Sequence, residues 1–184
     1  TPPLHPTGST FRHSVWKILL QIPYGKTITY GEITRRIGGS KGVSGMSACV
    51  PRRIIHNYEY TEFFSQAEVK EVVDKIGIVE RRFVDEKTCS SDLCFAAAER
   101  LISDMNIDKS EIDMLIFISQ TPDYRMPATS VILQERLGLS HKTIAFDISL
   151  GCSAFIYGLT AAYSYAQQPN IRKVLLLDGE TRSK

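Results

Sequence analysis

Cys152 stands in the segment AFDISLGCSAFIYGL, where an apolar run is followed by small residues and then by a second apolar run. This order predicts a strand, a short turn and a helix, which places the thiol at or beside the helix N-terminus. Backbone N–H groups and the helix dipole favour a thiolate there, and Gly151 leaves room for a substrate. The pattern favours a nucleophile for acyl transfer, with N–H groups for an oxyanion; a buried structural cysteine is the alternative.

The other three cysteines show no comparable setting. Cys49 is near a predicted strand end, Cys89 is in a loop and Cys94 is on the apolar side of a predicted helix. Four cysteines without a CxxC motif or a Cys/His cluster indicate neither a disulfide framework nor a zinc site. We therefore expect no metal, no chemical role for these three thiols, and the reducing cytoplasm as the compartment.

The elements around Cys152 predict an α/β class, because strands alternate with helices and strand pairing is then largely parallel. The helix over 153–167 is apolar nearly all round, which predicts burial on every side. Ser65 and Glu68 form a predicted capping box at the start of another helix. The predicted helices span 65–76, 93–105, 129–138 and 153–167, and the predicted strands span 43–50, 78–84, 114–118, 143–148 and 174–177.

Composition and charge narrow the function classes. The 184 residues are 43% hydrophobic and 23% charged, as in a soluble globular protein. No apolar run approaches the ~20 residues of a membrane helix, and no secretory signal is recognisable. The net charge of +2 is uneven, because residues 1–48 contain six Lys or Arg and one acid. This basic segment predicts either affinity for polyanions or an ordinary solvated face.

Over residues 43–184 the sequence resembles a known family. The segments that carry the resemblance are SGMSACVP, DKIGIVERRF, SSDLCFAAAERLI, MLIFISQTPDYRMPATSVILQERLGL, AFDISLGCSAFIYGL and VLLLDGETRSK. Together they are similar to the N-terminal half of β-ketoacyl-acyl carrier protein synthase III. The resemblance implies half of a thiolase-like fold and an acyltransferase of fatty-acid biosynthesis. It also implies that Cys152 takes an acyl group from acyl-CoA and condenses it with malonyl-acyl carrier protein, releasing carbon dioxide.

The same resemblance assigns further residues and exposes departures. Met126 matches a position that reaches across a homodimer interface to line the partner's acyl pocket; a simple core or interface residue is the alternative. Glu71 and Lys75 stand where the family has a Trp and an Arg at the entrance of the CoA-binding site. Lys75 therefore keeps the positive charge of the Arg but lacks its planar guanidinium group. We expect acyl-CoA as a substrate and no other cofactor. The family's catalytic His and Asn come from its C-terminal half, and they are matched by none of His5, His13, His56 and His141.

A different resemblance covers the start of the chain. FRHSVWKILLQIPYGKTITYGEITRRI, residues 11–37, resembles the DNA-binding domain of methylated-DNA–protein-cysteine methyltransferase. One helix is predicted to end before Pro23 and a shorter one to span 31–37. Tyr30 matches a tyrosine near the flipped nucleotide's phosphate; a packing residue is the alternative. The PCHR motif with the family's acceptor cysteine does not occur in this sequence, so alkyl transfer is not expected.

These observations predict a partial helical segment over 1–42 and a synthase-like half over 43–184, with a seam between 38 and 48 as in a chimera. The leading hypothesis is a synthase-type acyltransferase that is incomplete for condensation. DNA repair and a non-catalytic module for DNA binding and dimerisation are the alternatives. Half of a thiolase-like fold would expose apolar faces, so we expect a dimer or larger assembly. No membrane association is expected.

Overall fold

The computed structural model describes residues 42–182. The chain divides into two compact units between Met46 and Ser47, and nearly all described residues lie in the second unit. The predicted two-helix segment, with Tyr30, lies outside the described residues. The predicted domain boundary at residue 42 stays a prediction.

The first elements of the described chain are two strands that pair like the arms of a hairpin and the helix that connects them. Strand β1 is Arg53–His56, helix α1 is Gln66–Ile76 and strand β2 is Glu80–Phe83. The two strands are antiparallel, with Arg53 opposite Phe83. We refer to residues 42–87, which contain these elements, as the hairpin region.

Helix α1 begins and ends as its sequence predicts. The Ser65 hydroxyl accepts the Glu68 N–H, and the Glu68 carboxylate accepts the Ser65 N–H at 2.9 Å. The predicted capping box is therefore confirmed. The helix ends at Gly77, whose φ of 76° lies in the left-handed region that favours glycine.

The strand predicted over 43–50 is wrong. Residues 43–50 contain no strand, and the strand that forms, Arg53–His56, begins after Pro51. The exposure of residues 46–50 still alternates along the chain, as the sequence pattern suggested. A strand also needs a partner, however, and within residues 42–182 the four-residue β2 pairs only with Arg53–His56. The alternating pattern over 43–50 therefore has no strand to pair with among the described residues.

The rest of the described chain, residues 88–182, is the sheet region. Its elements follow the predicted ones closely and confirm the α/β class. They are α2 Ser90–Asp104, β3 Ile112–Ile118, α3 Thr129–Arg136, β4 Ile144–Ile148, α4 Ala154–Ala166 and β5 Lys173–Asp178. Strand β3 lies between β4 and β5, and both pairings are parallel. The carboxyl ends of all three strands therefore meet at one edge of the sheet.

The core lies on both faces of β3. Leu115 and Phe117 pack on one face with residues of α2 and α3, whereas Met114, Ile116 and Ile118 pack on the other face beneath α4. Alternating side chains of one buried strand thus supply two apolar layers. These two layers hold the ends of the strands, and the loops that follow them, in place.

Helix α4 approaches the sheet closely through Gly158. A Cβ at this position would lie 2.3 Å from Ile118 Cδ1, so a side chain there would require the Ile118 side chain or the helix to shift. The sequence predicts that α4 is buried on every side, and this is wrong for the face turned away from the sheet. Phe155, Ile156 and Tyr157 are 39%, 63% and 61% exposed. Among the described residues no helix has both the length and the apolar character needed to cross a membrane.

Candidate active site

Cys152 lies in the turn between β4 and α4, two residues before the first helical residue, and its side chain is exposed. The Ala154 N–H donates to the Gly151 carbonyl at 2.8 Å, and the Tyr157 N–H donates to the Ser153 carbonyl at 3.2 Å. This is the strand, turn and helix layout that the sequence predicts. The role of Cys152 as a nucleophile stays a prediction.

Free backbone donors occur in and next to the turn that carries the thiol. Within residues 42–182, the N–H groups of Cys152, Ser153 and Phe155 donate no hydrogen bond. Such N–H groups at the start of a helix carry the positive end of the helix dipole. They are suited to stabilise negative charge on a thiolate or on the oxygen of an attacked carbonyl.

A second set of polar residues lies at the same sheet edge as the turn that carries Cys152. The Gln120 N–H donates to the carboxylate of Glu180, and the Thr121 hydroxyl donates to the same carboxylate at 2.8 Å. Gln120 follows β3 and Glu180 follows β5, so these bonds join the ends of two strands. The Gln120 side chain also lies against Gly151, with its nearest atom 3.8 Å from where a Cβ of residue 151 would be.

Arg182 completes this set. Its guanidinium donates to Gln120 Oε1 at 3.3 Å. Sequence reasoning missed Gln120, Glu180 and Arg182. The available signal was that polar residues directly follow apolar strands, and the carboxyl ends of parallel strands share an edge.

The loop over 120–128, which carries Met126, is fixed near both ends. At its start, the Ser90 hydroxyl donates to the Thr121 carbonyl at 3.0 Å. At its end, the Asp147 carboxylate accepts the N–H groups of Thr129 and Ser130 at 2.8 and 2.9 Å, which caps α3. The loop therefore presents its middle residues from two fixed ends.

Met126 is 88% exposed in the middle of this loop. A core position among the described residues is thereby excluded. That Met126 reaches into a partner's acyl pocket stays a prediction.

Lys75 lies in the last turn of α1, with Glu71 one turn earlier, and both side chains are exposed. The role of Lys75 in substrate binding stays a prediction.

Cys94 contrasts with Cys152. It is buried in the sheet region, and desolvation raises the pKa of its thiol to about 12, with a further increase from the charge of Asp178. A Cβ at Gly179 would lie 2.5 Å from the Cys94 sulfur, so the thiol is closely packed. The thiol of Cys94 is therefore unsuited to nucleophilic chemistry.

The described histidines do not assemble a site around Cys152. His141 precedes β4, whereas Cys152 follows it, so the five-residue strand, roughly 16 Å long, separates them. The predicted position of His141 at the opposite sheet end is confirmed. His141 forms an exposed ion pair with Glu135 at 3.4 Å, and His56 pairs with Glu80 at 3.2 Å within the hairpin. Residues 42–182 contain no cluster of three or more side chains suited to bind a metal ion.

Comparison with known proteins confirms both resemblances. The family model of 3-oxoacyl-[acyl-carrier-protein] synthase III matches residues 146–184, which include Cys152. The model of the 6-O-methylguanine DNA methyltransferase DNA-binding domain matches residues 10–54, and so extends into β1.

Curated relatives and solved structures agree on the synthase resemblance. A Campylobacter jejuni protein provisionally named 3-oxoacyl-[acyl-carrier-protein] synthase 3 is 40% identical over 145 residues, which are 77% of this chain and 41% of the relative. β-Ketoacyl-[acyl-carrier-protein] synthase III of Caldanaerobacter subterraneus is 36% identical over 78% of this chain and 43% of its own length. This chain therefore spans less than half the length of these relatives.

The solved structures identify the fold. A 3-oxoacyl-(acyl-carrier protein) synthase from Burkholderia xenovorans superimposes with a TM-score of 0.68 and 38% identity, over 71% of this chain and 38% of that one. β-Ketoacyl-[acyl-carrier-protein] synthase III of Thermus thermophilus superimposes with a TM-score of 0.66 and 32% identity. The match covers 74% of this chain and 41% of that one. The described residues thus form half of a thiolase-like fold. Within that class, the chain resembles the N-terminal part of β-ketoacyl-acyl carrier protein synthase III.

Proposed function

We propose that this chain provides the acyl-accepting part of a β-ketoacyl-acyl carrier protein synthase III-type acyltransferase of fatty-acid biosynthesis, with Cys152 as the nucleophile. The observation that carries the proposal is an exposed thiol at a helix start with free N–H donors. The buried Cys94 thiol, with its pKa of about 12, does not offer this chemistry. The segment matched by the synthase family model contains Cys152 and supports the same choice.

The acyl-transfer step requires only groups of this site and the donor. The Cys152 sulfur attacks the carbonyl carbon of acyl-CoA, and a new carbon–sulfur bond forms. The bond between that carbon and the CoA sulfur breaks, and the leaving thiolate takes up the proton that Cys152 has lost. The N–H groups of the turn stabilise the oxyanion that exists between these two events.

Condensation is the second step in this proposal. Malonyl-acyl carrier protein loses carbon dioxide, and the carbanion attacks the acyl carbon, which frees the Cys152 sulfur. This step needs hydrogen-bond donors for the developing charge, and His141 lies at the wrong end of β4 to donate them. We therefore expect this chain alone to be acylated without condensing. The full activity would involve acyl carrier protein, a homodimer contributing Met126, and the cytoplasm, where thiols stay reduced.

Intact-mass measurement after incubation with acetyl-CoA tests the acyl-transfer step. We expect one added acetyl group on the chain and none on Cys152→Ala. Cys49→Ala is the matched control, since it removes another partly accessible thiol and should still be acetylated. An unmodified wild-type chain, or an adduct that persists in Cys152→Ala, would overturn the proposal.

A second candidate function is duplex DNA binding by the N-terminal segment. It is favoured by the family match over residues 10–54 and by the basic balance of residues 1–48. Binding through phosphates would weaken steeply with salt and would weaken again in a double variant, Arg35→Gln with Arg36→Gln. Fluorescence anisotropy with a labelled duplex measures both effects. An affinity that changes neither with salt concentration nor in the double variant would exclude this function.

A further inference from the structure

We propose that Gln120 is a substrate-positioning residue, whose side-chain N–H donates a hydrogen bond to the carbonyl oxygen of the thioester at Cys152. This inference rests on the proposed function and adds a residue to its site. Gln120 is suited to this role because its backbone and its amide oxygen have hydrogen-bond partners, whereas its amide nitrogen is free to donate.

The backbone of Gln120 is fixed on both sides. The preceding Ser119 N–H donates to the Ile148 carbonyl at 3.3 Å, which ties the end of β3 to the end of β4. The Gln120 N–H donates to Glu180, and the Thr121 hydroxyl donates to the same carboxylate. The residue therefore occupies a defined place at the sheet edge from which the Cys152 turn departs.

The side chain has one occupied end and one free end. Gln120 Oε1 accepts from Arg182 at 3.3 Å, whereas Nε2 donates no hydrogen bond within residues 42–182. The amide group lies beside the Cβ position of residue 151, with Nε2 at 3.8 Å and Cδ and Oε1 at 3.9 Å. The amide thus presents unused N–H groups beside the residue that precedes the nucleophile.

Glycine at position 151 leaves open the space that this amide borders. A Cβ at this position would be in van der Waals contact with the Gln120 amide group, at 3.8 Å from Nε2. A neutral donor in this place suits a carbonyl oxygen that gains negative charge during attack. A carboxylate in the same place would repel that charge and would have no N–H to donate.

Two substitutions separate donation from a purely structural bridge to Arg182. Gln120→Glu keeps the size and an acceptor for Arg182 but loses the N–H donor. Gln120→Leu loses both polar ends. Gln168→Leu is the matched control, because this exposed glutamine makes only backbone hydrogen bonds in the described chain.

The experiment compares two rates at Cys152 in the full chain: acetylation by acetyl-CoA and alkylation by iodoacetamide. Acetylation uses the carbonyl hydrogen bond, and alkylation requires only the thiol. We expect acetylation to fall at least about 10-fold in Gln120→Leu and Gln120→Glu, on the scale of losing one oxyanion donor. Alkylation of Gln120→Leu should stay at the wild-type rate, and Gln168→Leu should match wild type in both reactions.

Three other outcomes would contradict either the role of Gln120 or the proposed function. Equal acetylation of wild type and Gln120→Leu overturns the role of Gln120 and leaves the proposed function standing. A parallel fall of acetylation and alkylation in Gln120→Leu shows a structural role only, and also overturns the inference. A wild-type chain that alkylates at Cys152 but never acetylates overturns the proposed function, and this inference with it.

Discussion

The hairpin region and the sheet region use apolar residues very differently. The sheet region places its apolar residues in two layers around β3, where Met114, Leu115, Ile116 and Phe117 are 0% exposed. The hairpin region buries Val69, Val73 and Val84 but exposes a larger set of apolar side chains. That set includes Phe63, Phe64, Val72, Ile76, Ile78 and Val79.

This difference shows where the stability of the described chain resides. A strand covered on both faces supplies dispersion and hydrophobic stabilisation from each residue, whereas a hairpin with one short helix covers little apolar area. The site at Cys152 belongs to the sheet region.

Phe117→Ala should destabilise the protein most. Phe117 fills the layer beneath α2 and α3, and its removal leaves a cavity that costs about 3–5 kcal/mol. Phe63→Ala is the matched control in the hairpin region, where the ring is 71% exposed and the change should be about 0.5 kcal/mol or less. Urea unfolding followed by circular dichroism measures the free energy of unfolding of both variants. Similar losses of stability in the two would contradict the contrast between the regions.

Gly158→Ala should destabilise the packing of α4 on β3. The added methyl meets Ile118 Cδ1 at 2.3 Å, so the strand side chain or the helix must shift, at a cost of about 1–3 kcal/mol. Ala is the better helix former, so a gain in stability would show that this contact relaxes freely. Ser164→Gly compared with Ser164→Ala, at an exposed position of the same helix, is the control for propensity alone, with an expected difference of about 1 kcal/mol.

Ser65→Ala should loosen α1 with little effect on the sheet region. It removes the hydroxyl that accepts the Glu68 N–H, which is worth about 1 kcal/mol. Amide hydrogen exchange should speed up in α1 and stay unchanged in β3. The exposed Glu71→Ala in the same helix serves as the control, and equal acceleration in β3 would indicate that the two regions unfold together.

Asp113 should give the sheet region an acid-sensitive component of stability. Hydrogen bonds from Arg172 hold the pKa of this carboxyl at about 2, below its usual 3.8. Because the folded pKa is the lower one, this stability is present above pH 3.8 and is lost as the pH falls towards 2. As the pH is lowered from 3.8 to about 2, the urea concentration at the unfolding midpoint should therefore fall less steeply for Asp113→Asn than for the wild-type chain.

Asp104→Asn removes the acid of an exposed pair with Arg100 and is the control for general charge effects. It should retain the wild-type dependence on pH. If Asp113→Asn and Asp104→Asn behave alike, the Arg172 contacts contribute nothing specific.

Local sequence signals determined much of this protein. The capping box at Ser65 and Glu68, and the strand, turn and helix around Cys152, follow from residues a few positions apart. Such signals act through neighbouring backbone groups and through the period of the apolar residues, so no distant partner is needed to read them.

Contacts between distant parts of the chain were decided by the tertiary structure alone. Gln120 and Glu180 are 60 positions apart, and they meet because β3 and β5 run parallel and end at one edge. The alternating residues over 43–50 had an adequate pattern and no strand to pair with in the described chain. Whether a side chain reaches Cys152, or a strand forms, depends on which partner the fold supplies, and a local pattern carries no information about that partner.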